Sequence, residues 1–134
     1  MGRWQEIDHT ADLALHIWAD DLPDLFITTA RGTFALVADL AQVRPEHAVA
    51  VTLDALDVEM LLVDWLNELL YQNEVNGLVF TEFSFESLSP THLQATAYGG
   101  PAPERLGYVK AATFHNLVVQ QTPQGYETEI VLDT

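Results

Sequence analysis

The residues in this chain best suited to chemistry are carboxylates drawn from distant segments. Asp8-His9-Thr10-Ala11-Asp12 sets two acids in a short polar interruption between apolar runs, and Leu132-Asp133-Thr134 brings another acid beside a terminal carboxylate. Oxygen donors from separate segments are what a hard cation such as calcium or magnesium requires. The same residues also suit a plainer role, with Asp8 and Asp12 capping turns and Asp133 at a solvated end. Asp64 and Glu68, one helical turn apart, form either a solvated face or a docking surface for a basic partner. His9 and His115 border polar segments, where an imidazole can donate hydrogen bonds or shuttle a proton. His16, His47 and His92 read as strand or loop residues. Lys110 is one of only five Lys and Arg residues, and it serves either to neutralise the acids, to contact a phosphate, or as an ordinary surface lysine.

These groups need elements to position them. Leu13, Leu15 and Ile17 alternate with Ala14, His16 and Trp18, a strand pattern that follows an irregular or extended start from Trp4 to Asp12. Asp21 with Pro23 and Asp24 opens a first helix, carrying Leu25, Phe26, Ala30, Phe34 and Val37 at helical spacing. Val49, Val51 and Leu53 form a short strand. Asp57 then caps a second helix running to about Asn76-Gly77, whose Val58, Leu61, Leu62, Trp65, Leu66, Leu69 and Leu70 cover more than half its circumference, which predicts the centre of the core. Four strand-like runs follow, Leu78 to Glu86, His92 to Tyr98, Ala112 to Gln120 and Tyr126 to Asp133. Ser89-Pro90 and Pro123-Gln124-Gly125 are hairpin turns. The expectation is a single α+β domain over residues 1–134, with two helices on a mostly antiparallel sheet of about six strands. The Gly- and Pro-rich connection from Gly99 to Val109 is its natural mobile loop.

Composition narrows the function classes. The 134 residues carry 20 acids against 5 Lys and Arg, a formal charge of −15, so no basic stripe exists to neutralise nucleic-acid phosphates. Sequence-specific nucleic-acid binding is therefore not expected, whereas basic partners and metal ions are compatible with the charge. With no cysteine there is no thiolate chemistry or cysteine-ligated zinc. No apolar run is long enough to span a membrane, and Met1-Gly2-Arg3-Trp4 lacks a signal pattern, so the expected location is the cytoplasm. Glycine-rich phosphate loops, a Gly-x-Ser-x-Gly elbow and a His-Glu-x-x-His helix are all missing.

Four segments in order, Asp8-His9-Thr10-Ala11-Asp12, Leu62-Val63-Asp64-Trp65-Leu66-Asn67-Glu68-Leu69-Leu70, Val109-Lys110-Ala111-Ala112-Thr113-Phe114-His115 and Leu132-Asp133, resemble the archease family over nearly the whole chain. The resemblance implies a protein that is not itself an enzyme. It activates the RtcB-type RNA-splicing ligase, which uses GTP and manganese through a guanylylated histidine to join 2′,3′-cyclic-phosphate or 3′-phosphate ends to 5′-hydroxyl ends. The implied effect is to promote guanylylation and multiple turnover, in tRNA splicing or RNA repair.

The resemblance further implies a divalent-cation site, calcium first, at Asp12, Asp133 and Thr134, the last through a main-chain or terminal oxygen. Asp8, His9, Thr10, Lys110 and His115 would form the ligase-activating surface around it, with Asp64 and Glu68 as a docking patch. Two departures stand out: Phe114 occupies a position where the family usually has tyrosine, and Glu104-Arg105-Leu106-Gly107-Tyr108 lacks a histidine common before the lysine. The alternatives are a chaperone-like partner of another RNA-modifying enzyme and, further off, a metal-dependent hydrolase using His9 or His115 as base.

Overall fold

Apolar side chains recurring at two periods build two kinds of element around one core. In the computed structural model, which describes residues 1–8 and 12–134, these are eight strands and two α-helices. In chain order they are β1 (Arg3–Asp8), β2 (Leu13–Ala19), α1 (Leu22–Ala35), β3 (His47–Asp54), α2 (Val58–Asn76), β4 (Val79–Ser89), β5 (His92–Gly100), β6 (Ala111–Thr113), β7 (Gln120–Thr122) and β8 (Gly125–Asp133). Both helix starts follow from their caps. Asp21 accepts the Asp24 N–H at 2.9 Å and Asp57 accepts the Met60 N–H at 2.8 Å, each satisfying a donor that a helix leaves unpaired. Helix α2 stops at Gly77, whose φ of 70° is the left-handed conformation glycine adopts without a Cβ penalty.

The α+β class holds, with every strand pairing antiparallel, but the strands divide between two sheets. One has the order β1-β2-β8-β6, with β7 also on β8; the other has the order β3-β5-β4. Helix α1 packs on β1, β2 and β8 of the first sheet and on β4 of the second, and α2 packs on β6 of the first and on β3 and β4 of the second. Each helix therefore needs two apolar faces, which is why α2 is apolar around most of its circumference. Trp65 is fully buried at the centre, ringed by Phe26, Phe83 and Phe85 at centroid distances of 6.4, 5.7 and 5.4 Å. Its indole N–H donates to the Phe26 carbonyl at 3.1 Å, joining α2 to α1.

Two segments differ from the periodicity reading. The irregular or extended start is a paired strand, β1, which periodicity did not resolve because polar Arg3, Gln5 and Glu6 interrupt the alternation. Gly32 on α1 lets that strand lie close, since a Cβ there would stand 2.9 Å from the Trp4 ring. The run from Ala112 to Gln120 splits into β6 and β7, because residues 114–119 leave the ladder through Asn116 at φ 51°. Their backbone groups find side chains instead: the Val119 N–H donates to Glu59 at 2.9 Å, and the Val118 carbonyl accepts from the Thr128 hydroxyl at 2.8 Å. The 101–109 connection is tied down rather than free. Leu106 donates its N–H to the Val37 carbonyl at 2.7 Å, and Val109 is buried. No helix among the described residues is long and apolar enough to cross a membrane.

Candidate functional site

Strand register brings the distant acids together. The last rung of the β2–β8 ladder pairs Leu13 with Leu132, which brings Asp12, in the bend before β2, and Asp133, the last residue of β8, to the same sheet end. On one side, Asp8 ends β1 opposite Leu13. On the other, β6 begins with Ala111 paired to Asp133, and the Lys110 N–H donates to the Asp133 carbonyl at 2.7 Å. One end of the five-stranded sheet thus carries Asp8, Asp12, Asp133 and Lys110 in a row, from three separate stretches of sequence. Pleating puts Asp133 on the face of the Ala14–Val131 rung, opposite to the one on which the helices pack.

Asp12 is exposed and Asp133 half-buried, so both carboxylates are accessible to solvent and a ligand. Lys110 and Thr134 are exposed, and among the described residues the Lys110 ammonium makes no ion pair. Asp12, Asp133 and Thr134 offer only oxygen donors, a set that suits a hard cation completing its coordination with water. Among the described residues, no group of three or more His, Asp or Glu side chains converges into a metal-ligating cluster. His9 and Thr10, expected on the same surface, lie outside the described residues.

Helix α2 reaches this end of the sheet through a contact that sequence reading assigned no role. Asn67 accepts the Ala112 N–H at 2.8 Å and donates its amide to the Ala112 carbonyl at 3.2 Å, gripping both backbone groups of one residue in β6. The legible signal was an asparagine inside an otherwise leucine-rich helical segment. Because β6 is only three residues long, this clip fixes the strand whose start carries Lys110. Asn67→Ala should cost about 2 kcal/mol from two lost hydrogen bonds. It should also raise hydrogen exchange at the Lys110 and Ala112 amides above that of β5; unchanged protection there would show that β6 is held by β8 alone.

The remaining candidates are more scattered. Asp64 is half-buried one turn before Asn67, and Glu68, also half-buried, accepts from the Gln72 amide at 3.4 Å. His115 lies beyond β6 in the 114–119 turn, with its N–H on the Thr113 hydroxyl at 3.4 Å and its ring 3.3 Å from the Asn116 amide. Phe114 beside it is exposed. His16, read as a strand residue, contacts Glu127 across the ladder at 3.0 Å and stacks beside Trp18 at 4.3 Å, further along the face that carries Asp133.

Comparison with known proteins matches the chain to one group. The archease protein family (MTH1598/TM1083) matches residues 4–134. The chain is similar to protein archease of Methanopyrus kandleri, at 36% identity over 97% of this chain and 98% of that one. It is likewise similar to protein archease of Methanosarcina acetivorans, at 32% identity over 98% and 95%. The solution structure of protein 1598 from Methanobacterium thermoautotrophicum superposes with a TM-score of 0.80 at 27% identity, covering 98% of both chains. The crystal structure of an archease from Thermotoga maritima, described as a possible chaperone, shares the fold with a TM-score of 0.66 at 20% identity over 97% and 96%.

Proposed function

The chain belongs to the archease family, and from that premise we propose that it is a non-catalytic activator of the GTP- and manganese-dependent, RtcB-type RNA ligase. It would promote guanylylation and repeated turnover as that enzyme joins 2′,3′-cyclic-phosphate or 3′-phosphate ends to 5′-hydroxyl ends. The observation that carries the reading is the register that sets Asp8, Asp12, Asp133 and Lys110, from three of the family-like segments, at one sheet end. In this reading Asp12, Asp133 and Thr134 hold a divalent cation, calcium first, through oxygen donors. Asp8, His9, Thr10, Lys110 and His115 form the surface offered to the ligase, with Asp64 and Glu68 as a docking patch on α2.

The charge of −15 supports action through a protein rather than through RNA. An acidic face can speed encounter with a basic, RNA-binding enzyme without competing for its substrate. The test is RNA ligation with limiting ligase from the same organism, GTP and manganese, with and without this protein. The expected result is product well beyond one equivalent of ligase only when the protein is present. No change in guanylylation or turnover would overturn the reading, and nucleotide or phosphoester hydrolysis by the protein alone would replace it with the hydrolase.

A further inference from the structure

Away from the acidic sheet end, the surface where α1 meets the 101–109 connection has an apolar floor and an acidic rim. Trp4, Ala38, Leu40 and Leu106 are among the residues lining a hollow of about 480 Å3. A neighbouring hollow of about 280 Å3 shares Asp39 and Leu106 with it and adds Glu104. Leu106 is 58% exposed on a backbone held to the end of α1, and Trp4 is 38% exposed with its ring against Gly32 of α1. The Leu106 N–H is bonded to the Val37 carbonyl at 2.7 Å, and Gly107 lies so close to α1 that a Cβ there would stand 2.5 Å from the Leu36 carbonyl. Apolar groups fixed in an exposed position lose little conformational freedom when covered, which favours binding.

The charges around the groove select what can cover it. Glu104 is exposed and without a partner among the described residues, and Asp39, also exposed, accepts the Ala41 N–H at 3.1 Å. The one cation of this loop, Arg105, is exposed but lines neither hollow; it donates to the Gly107 carbonyl at 3.3 Å with its guanidinium 5.5 Å from the Tyr108 ring. The rim is therefore net acidic over an apolar floor. A second copy of a chain carrying −15 would add like charge, whereas a basic partner would gain attraction.

We propose that this groove is a docking site for an apolar segment flanked by Lys or Arg, presented by a protein partner. The inference deepens the activator reading by giving the partner a place to attach that is separate from the acidic sheet end. The probe is a synthetic peptide with two leucines four residues apart and lysines at both ends, titrated against the full chain while following tryptophan emission. Of the three tryptophans, Trp4 is the one that lines the groove.

Binding is expected for this peptide and not for versions with glutamates in place of the lysines or alanines in place of the leucines. Leu106→Glu and Glu104→Lys, both at exposed positions, should each weaken it by about tenfold or more while leaving the melting temperature unchanged. In the ligation assay the same variants should raise the protein concentration needed for half-maximal activation without lowering the plateau. Failure of the peptide to bind, or equal binding by both variants, would overturn the groove. So would a dimer that Leu106→Glu converts to a monomer, since the occupant would then be a second copy. If the peptide binds as expected and the wild-type protein leaves ligation unchanged, the groove stands and the ligase reading falls.

Discussion

Replacing Asp12 and Asp133 together by asparagine should lower ligase activation by about 10- to 100-fold while leaving the protein folded and, without added cation, about as stable as wild type. The combination of outcomes follows from where the two residues sit. Both are at the end of the β2–β8 ladder, one exposed and one half-buried, and neither contributes to the apolar core. Asparagine keeps the shape and an oxygen acceptor but removes the charge. Both residues lie outside the core, so removing their charge leaves the packing of the bare protein unchanged.

Calcium should act in the opposite direction on the two forms. A ligand that binds only the folded state stabilises by about 2.7 kcal/mol at roughly one hundred times its Kd, so wild-type protein should melt several degrees higher with calcium and the double variant should not. The measurements are a melting curve with and without calcium and the multiple-turnover ligation assay. Equal melting shifts in both proteins would remove these acids from cation binding. Equal activation would remove them from function.

Trp65→Ala should have the largest effect on stability of any single truncation in the helices, about 3–5 kcal/mol. Trp65 is fully buried, touches Phe26 from α1 and Phe83 and Phe85 from β4, and donates its N–H to the Phe26 carbonyl. Truncation leaves a cavity bordered by three aromatic rings from α1 and β4, which cannot all collapse into it. Against a total stability of about 5–15 kcal/mol for a domain of ordinary size, that is a large share. The melting temperature should fall by roughly 10–20 °C. Trp65→Phe should lose less, and Tyr71→Ala, on the exposed side of the same helix, should stay within about 0.5 kcal/mol of wild type. A small loss for Trp65→Ala would mean that the two sheets, rather than the helix pair, carry the core.

What the sequence determined by itself was whatever depends on neighbours along the chain. Asp21, Asp57 and Gly77 mark helix ends because capping is satisfied within a few residues. The apolar coverage of α2 announces its central place, and Ser89-Pro90 and Pro123-Gln124-Gly125 join β4 to β5 and β7 to β8. The family-like segments were also legible, because residue identity at a motif does not depend on knowing the fold.

Only the tertiary structure decided which of those segments meet. Asp12 and Asp133 come to one sheet end because β8 returns antiparallel to β2, and nothing local in either segment specifies that register. The division into two sheets is equally non-local, since one apolar helix surface looks the same in sequence whether it covers one sheet or joins two. β1 was obscured because polar residues occupy both its sides, and β6 and β7 ran together because the side chains that take over their backbone hydrogen bonds, Glu59 and Thr128, lie on other elements. Asn67 had no assigned role for the same reason: its partner is a backbone brought to it from 45 residues away. Patterns along the chain report what each element buries, and contacts between elements are settled only when packing chooses among many compatible pairings.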